Sequence, residues 1–104
     1  MIIRVTKAMA EGRLGDVLPE KAFWCTDGRV LKNLYELESA LREMSDWAFR
    51  YHASETKNDF SIWVREVVGD DKLSHDLQKS TTQAQAAKYV AARIAWLRTK
   101  LAGS

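Results

Sequence analysis

A run of helical segments with short connections, starting at Asn33, is the feature that most constrains what this chain can fold into. In the first segment the apolar side chains recur at steps of three and four residues, so they share one face of a helix. They are Leu34, Leu37, Leu41 and Met44. Asn33 can accept an early backbone N–H, and Glu36 stands three residues later, as in a capping box. The pattern predicts an amphipathic helix whose N-terminus is at Asn33.

Four more helical segments follow, and each begins with residues that suit a helix N-terminus. These starts are Ser45-Asp46, Asn58-Asp59, Asp70-Asp71 and Ser80-Thr81-Thr82. Gly69 ends the segment that begins at Asn58, because glycine readily takes the positive φ found just past a helix C-terminus. The last segment is the longest and runs to about Ala102.

The second segment, WAFRYHA, is rich in aromatic residues for its length. Trp47 and Tyr51 share one side of a helix, whereas Phe49 and Ala53 lie on another. Aromatic side chains on two sides predict that this short helix is buried between neighbours.

The first thirty residues carry strand and turn signals instead. Residues 2–5 and 22–25 could form short strands, and Thr26-Asp27-Gly28 is a turn sequence that would reverse the chain. Gly12, Gly15 and Pro19 indicate loop between the two strands. We therefore expect residues 1–31 to form an irregular arm or a small β-hairpin.

Short connections make consecutive helices pack as neighbours, which fixes the predicted architecture. We expect a mainly all-α fold, a compact bundle of about five helices over residues 33–102 with residues 1–31 as its N-terminal extension. A chain of 104 residues suffices for one small domain with its own core, so residues 1–104 are predicted to form a single domain.

The formal net charge is +2, but the charges are unevenly distributed along the chain. Residues 33–79 hold six basic and ten acidic residues, whereas residues 80–104 hold four basic residues and no acid. An acidic middle and a basic end favour self-association or capture of an acidic partner.

Cysteine content and apolar run length bear on where the protein works. Cys25 is the only cysteine, so no intrachain disulfide and no cysteine-rich metal site can form. The longest apolar runs are too short to cross a bilayer. We expect a cytoplasmic protein that does not enter a membrane.

The final segment carries the clearest candidate binding feature, an alternation of aromatic and basic residues. Tyr89, Arg93, Trp96 and Lys100 step by four, three and four residues and lie about a quarter turn from an apolar seam. We call these four residues the aromatic–basic stripe. Such an edge suits contact with phosphates and bases or with an acidic partner. The alternative is that the two aromatic rings broaden the packed face while the basic side chains lie across it.

His52 and Asp59 form a second candidate, a polar site. They stand seven residues apart across a predicted connection, so a turn could bring them together as a His–Asp base. No nucleophile motif accompanies them. The alternative is a histidine that bonds to cap or loop groups.

Metal and cofactor sites are not expected. The two histidines are more than twenty residues apart and match no zinc spacing, and neither a calcium-loop sequence nor a phosphate-binding loop is present. Asp70-Asp71 is explained by charge at a helix start.

Three strings resemble a small prokaryotic, largely archaeal domain family of unknown function: DGRVLKNLYELESAL, FRYH and KNDFSIWVREVVGDDKL. The resemblance spans residues 22–100. Its specific parts are DG-x-x-L-x-N-L-x-E-L and N-D-F-x-x-W-V-x-x-V-x-G-D. The resemblance implies a helical intracellular domain and transfers no catalytic residue.

These features favour a non-enzymatic module for protein interaction or assembly, with a protein partner or a second copy as its ligand. The alternative is a nucleic-acid-binding protein that uses the aromatic–basic stripe. An enzyme based on His52 and Asp59 would need a pocket, which the sequence does not reveal.

Overall fold

The computed structural model describes residues 4–103, and within that range it contains six α-helices and one two-stranded antiparallel sheet. The helices are α1 (Lys7–Leu14), α2 (Leu34–Glu43), α3 (Asp46–His52), α4 (Asp59–Trp63), α5 (Asp71–Lys79) and α6 (Gln83–Gly103). The strands are β1 (Phe23–Trp24) and β2 (Val30–Leu31). A 3₁₀ turn covers Pro19–Lys21, and a π-helical turn over Val64–Val68 continues α4. The predicted mainly helical bundle with a short hairpin is confirmed.

The long helix α6 organises the core. It packs against α2 and also contacts α1 and α5. Val90 and Leu97, on the apolar side of α6, have no solvent-exposed area, and neither do Leu37 and Leu41 of α2. Burying leucine-sized side chains contributes about 1.5–3 kcal/mol each, so this helix pair supplies much of the hydrophobic stabilisation.

The predicted helix starts are confirmed by hydrogen bonds at four N-termini. In each case a side-chain oxygen accepts the backbone N–H three residues later, at 2.9–3.1 Å. The capping residues are Asn33, Ser45, Asn58 and Thr82. Gly69 has φ 86°, as predicted for the residue that ends the α4 segment.

The predicted loop around Gly12 is wrong, because residues 7–14 form helix α1. Thr6 caps it by accepting the Met9 N–H at 3.2 Å. Ala10 and Leu14, one turn apart, are buried in the core, and this tertiary packing outweighs the low helix propensity of Gly12. Of the predicted first strand, Arg4 and Val5 lie in no strand, and residues 2–3 lie outside the described residues.

The predicted turn at Thr26-Asp27-Gly28 is confirmed, and the short hairpin is formed by the predicted strand before it together with β2, which was not predicted. Phe23 pairs with Leu31 and Trp24 with Val30, and Gly28 takes φ 97° in the turn. Phe23 and Leu31 are buried, whereas Trp24 and Val30 are exposed on the other face. The hairpin therefore lies on the bundle with one face in the core and is not a detached arm.

The predicted burial of α3 is wrong for two of its three aromatic residues. Trp47 is 65% and Tyr51 55% exposed, while Ala48 and His52 are buried. A seven-residue helix at the edge of the bundle has one inward stripe, and the i, i+4 pair 48 and 52 occupies it.

Two glycine substitutions should change stability in opposite directions. Gly12 lies inside α1, and an added Cβ would meet no atom within 4 Å. Gly12→Ala should therefore raise the free energy of unfolding by about 0.5–1 kcal/mol. Gly69→Ala should lower the free energy of unfolding by about 1–2 kcal/mol, because a Cβ makes the left-handed conformation at φ 86° unfavourable. Urea denaturation of the two variants measures both effects, and two changes of the same sign would contradict this description.

Candidate functional site

The aromatic–basic stripe lies on α6 and is not a uniformly exposed edge. Tyr89 is half-buried and packs against the core. The Arg93 side chain is only 12% exposed. Trp96 is 39% exposed and Lys100 is half-buried. Half of the stripe thus belongs to the packed structure, as the alternative interpretation predicts for Tyr89.

The guanidinium of Arg93 is held by the buried carboxylate of Asp70. Its Nε donates to Oδ2 at 2.7 Å and its Nη2 donates to Oδ1 at 3.1 Å. Asp70 has no exposed area, and its Oδ1 also accepts the Leu73 N–H at 3.1 Å, which caps α5. A second cation, Arg13 of α1, approaches that oxygen to 3.9 Å. Arg93 is therefore a structural residue that connects α6 to the start of α5.

The Trp96 ring already has two cationic neighbours on its own helix. The Arg93 Cζ lies 4.4 Å and the Lys100 Nζ 4.7 Å from the ring centre. Cation–π contacts of this kind occupy the face of an aromatic ring. They leave less of the Trp96 face for stacking on a nucleotide base.

The acidic residues of α2 are paired within the chain. Glu36 accepts the Lys32 N–H at 2.8 Å, Glu38 pairs with Arg42, and Glu43 pairs with Arg29 at 3.1 Å. Glu38 and Glu43 are neutralised by these arginines and attract a distant cation weakly, whereas Glu36 bonds only to a backbone N–H and keeps its charge. The acidic middle of the chain therefore attracts the basic helix α6 of a second copy less strongly than the sequence indicates.

His52 and Asp59 are brought together, as the sequence predicts. His52 is 5% exposed, and its Nδ1 lies 3.0 Å from Asp59 Oδ2. On the other side of the ring, Nε2 accepts the Thr26 backbone N–H at 2.9 Å. Since the backbone N–H can only donate, Nε2 carries no proton and Nδ1–H donates to Asp59.

This geometry removes both ring nitrogens from contact with a substrate. A general base needs a free lone pair within reach of the proton that it takes, and the lone pair of His52 Nε2 is used by Thr26. Cys25 is no better placed as a nucleophile, because it is buried and burial raises the pKa of its thiol. The His52–Asp59 pair has the geometry of a structural hydrogen-bonding unit.

The Asp59 carboxylate is stabilised by its neighbours. Burial alone would raise its pKa, but hydrogen bonds from the neutral His52 ring and from Lys57, together with the positive charge of Lys57, outweigh burial and hold the pKa below its ordinary value. The Lys57 Nζ donates to the same Oδ2 at 3.1 Å. Asp59 is thus an anion at neutral pH.

Sequence reasoning missed the exposed aromatic residues of the hairpin side. Trp24 is 72% exposed, and its cross-strand partner Val30 is 40% exposed. Val30 and Tyr35, which is 41% exposed, border a surface depression of about 440 Å³. The three residues are called the hairpin patch. Period-two alternation in the predicted strand, with Phe23 inward, was the signal that would have placed Trp24 outward.

A larger open groove of about 1090 Å³ lies between α3, the α3–α4 connection and the α5–α6 connection. Its charged lining residues are Asp46, Arg50, Glu55, Lys57 and Lys79. Arg50 pairs with Asp46, and Lys79 lies 3.8 Å from Asp76, so the groove presents no strong field of one sign. Among the described residues no cluster of three or more acidic, histidine or cysteine side chains could hold a metal ion.

Removing the Arg93 guanidinium should destabilise the fold strongly. Arg93→Met keeps much of the side-chain volume but leaves the fully buried Asp70 without its close partner. Breaking a buried pair in this way costs about 3–5 kcal/mol. The matched control on the same helix is Arg98→Met, an exposed position that should change unfolding by less than about 0.5 kcal/mol. Equal effects of the two variants in denaturant unfolding would rule out a structural role for Arg93.

Asp59→Asn should reduce stability in a pH-dependent manner. A carboxyl whose pKa is lowered by folding stabilises the native state above its ordinary value of 3.8 and loses this contribution as pH falls through the folded value. The stability difference between wild type and Asp59→Asn should therefore be largest above that pH and shrink below it. Urea unfolding at a series of pH values below about 5, where histidine no longer changes charge, measures this, and a difference that grows as the pH falls through that range would contradict the assignment.

Within the part of the chain that the structure describes, no helix has the length and apolar character needed to span a membrane. Comparison with protein-family models, curated proteins and solved structures found no match to this chain. The resemblance to an uncharacterised prokaryotic family therefore stays a prediction.

Proposed function

We propose that this protein is a non-enzymatic interaction or assembly module that contacts a protein partner through exposed aromatic residues. The supporting observation is the exposure of Trp24 (72%), Trp47 (65%) and Tyr51 (55%) in a chain whose described residues form one hydrophobic core. Tryptophan and tyrosine are enriched among the residues that dominate binding energy at protein interfaces. The proposed contact is therefore made by these residues and not by the aromatic–basic stripe.

The hairpin patch is an apolar surface with an exposed side-chain pair next to a depression. Trp24 and Val30 stand opposite each other on the outer face, and the depression beside Tyr35 offers space for an apolar side chain. The second aromatic site is on α3, where the rings of Trp47 and Tyr51 lie 5.9 Å apart. A paired ring system of this kind presents a broad face at low entropic cost, because each ring has only two side-chain torsions.

The size of the hairpin patch limits what it can bind alone. Applying the exposed fractions of Trp24 and Tyr35 to typical aromatic areas gives on the order of 250 Å². A stable interface needs about 800 Å² from each partner. The patch therefore serves as the centre of a larger contact or as the site for a short peptide segment, and does not by itself support a stable dimer.

Site-specific photo-crosslinking in cells that make the protein tests the proposal. A photoreactive phenylalanine analogue replaces Trp24 or Trp47, and a control places it at Gln78, which is exposed on α5. We expect a discrete crosslinked protein from position 24 or 47 and none from position 78. Light scattering at low and high salt then establishes whether that partner is a second copy.

The proposal fails if neither aromatic position gives a protein crosslink or if position 78 gives the same products. As part of the same proposal we place the protein in the cytoplasm, because its single cysteine is typical of proteins from reducing compartments.

Nucleic-acid binding is the second candidate, supported by unpaired basic residues on α6. Lys88 and Arg98 are exposed, Lys100 is half-buried, and none of the three is in an ion pair within the described residues. No acidic residue follows Asp76 in the sequence. Arg93 is less available for contact with phosphates than the sequence indicates, since its guanidinium is bound to Asp70.

Anisotropy titrations with single- and double-stranded probes test this candidate. Phosphate contacts release counterions, so affinity should fall steeply with salt, and Lys88→Glu with Arg98→Glu should weaken binding more than the control Lys21→Glu, which lies outside α6. Binding that does not depend on salt, or no binding to either probe, would exclude nucleic acid as the ligand.

A further inference from the structure

The hairpin turn is attached to the bundle through the His52 ring. Thr26, the first residue of the turn, donates its backbone N–H to Nε2 at 2.9 Å, and Nδ1 lies 3.0 Å from Asp59 at the start of α4. The ring thus bridges two elements that are distant in sequence. It accepts a hydrogen bond on one side and donates one on the other.

The Thr26 side of this bridge is incompatible with a protonated ring. A backbone N–H cannot become an acceptor, so a proton on Nε2 would set two donors against each other at the present 2.9 Å. We propose that His52 is a proton-dependent latch, which holds the hairpin turn against the bundle when the ring is neutral and releases it when the ring gains a proton. This inference rests on the hairpin geometry and is independent of the proposed function.

The charged groups around the His52 ring determine which of its two hydrogen bonds breaks when the ring gains a proton. From α4, the Asp59 anion faces Nδ1, and Lys57 of the preceding connection lies against that carboxylate at 3.1 Å. An imidazolium would therefore keep its bond to Asp59 with added charge attraction. On the hairpin side, the carboxylate of Asp27 bonds to the N–H and Nε of Arg29, so the turn offers no free anion. On protonation the ring therefore keeps its bond to Asp59 at the start of α4, and the hairpin turn moves away from the ring.

Aromatic rings enclose the remaining faces of His52 and carry no charge. Phe23 lies 5.0 Å, Tyr51 4.9 Å and Phe60 5.4 Å from the ring centre. The thiol of Cys25 is neutral, since burial raises its pKa. Arg29 also pairs with Glu43 of α2 at 3.1 Å, and Arg50 of α3 pairs with Asp46. These neighbours supply no compensating acceptor for an Nε2 proton.

Other contacts limit the release to the turn. The base of the hairpin is held by the indole N–H of Trp63, which donates to the Lys21 carbonyl at 2.8 Å, and by Val17 N–H, which donates to the Lys32 carbonyl at 2.7 Å. Phe23 stacks on Phe60 at 5.1 Å. Loss of the Thr26 bond would therefore loosen residues 25–29 without unfolding the bundle.

An NMR titration of the whole chain tests the latch over about pH 8 to 5, where histidine ordinarily changes charge. At about pH 8, the upper end of the titration, the ¹⁵N chemical shifts of the ring should show that the His52 proton is on Nδ1. On acidification the Thr26 amide should shift with the same midpoint as the ring. Protection of the Cys25 and Gly28 amides, which close the turn, should fall about tenfold or more.

Two variants separate His52 from other titrating groups. His52→Gln supplies a carbonyl acceptor that does not titrate and should abolish the transition at Thr26. His75→Gln alters the other histidine, exposed on α5, and should leave the transition unchanged. A proton on Nε2 at neutral pH, a Thr26 amide that does not follow the ring, or a ring that stays neutral throughout would each overturn the proposal. These measurements on the wild-type chain decide the question even where His52→Gln does not fold.

Discussion

The carboxylate of Asp70 is the point on which the arrangement of helices depends. It is fully buried, it caps α5 through the Leu73 N–H, and it binds the Arg93 guanidinium through both oxygens. A charge without solvent must be paired, so the start of α5 and the middle of α6 are fixed relative to each other. Replacing such a pair by apolar side chains is often neutral or stabilising, so its net contribution to stability is small, whereas the loss of one partner alone is costly.

This constraint changes where binding is to be sought. Arg93 binds the buried Asp70. Its guanidinium and the Lys100 ammonium also lie against the Trp96 ring. The most exposed aromatic residues belong to the hairpin and α3 instead. The hairpin is held to the bundle by the core packing of Phe23 and by the hydrogen bond to His52. The surface that we propose as an interface is thus carried by an element whose turn depends on one titratable side chain.

Much of the helical architecture could be predicted from the sequence because its signals are local. The caps at Asn33 and Asn58 and the stop at Gly69 depend on residues within one turn of each other. Helix α1 was missed because Gly12 and Gly15 indicate loop, although Thr6 caps the helix and its other residues are good helix formers. The packing of Ala10 and Leu14 in the core outweighs the glycine signal. The outward position of Trp47 was missed for the same reason, since which side of a short helix faces inward is set by its neighbours.

The candidate sites show the same division between local and tertiary information. The proximity of His52 and Asp59 followed from their spacing across a short connection, but the Thr26 bond that occupies Nε2 comes from a residue 26 positions earlier. Likewise the heptad spacing of α6 identified Arg93, whereas its partner Asp70 lies 23 positions away. No periodicity encodes such pairs.

A double-mutant cycle between Asp70 and Arg93 tests the central claim most directly. Asp70→Asn retains an oxygen that can cap α5, Arg93→Met retains apolar volume, and the unfolding free energies of both single variants and the double variant give the coupling. The account predicts that the double variant is less destabilised than the sum of the single variants by about 2 kcal/mol or more. Additive effects would show that Arg93 is not held by Asp70 in solution.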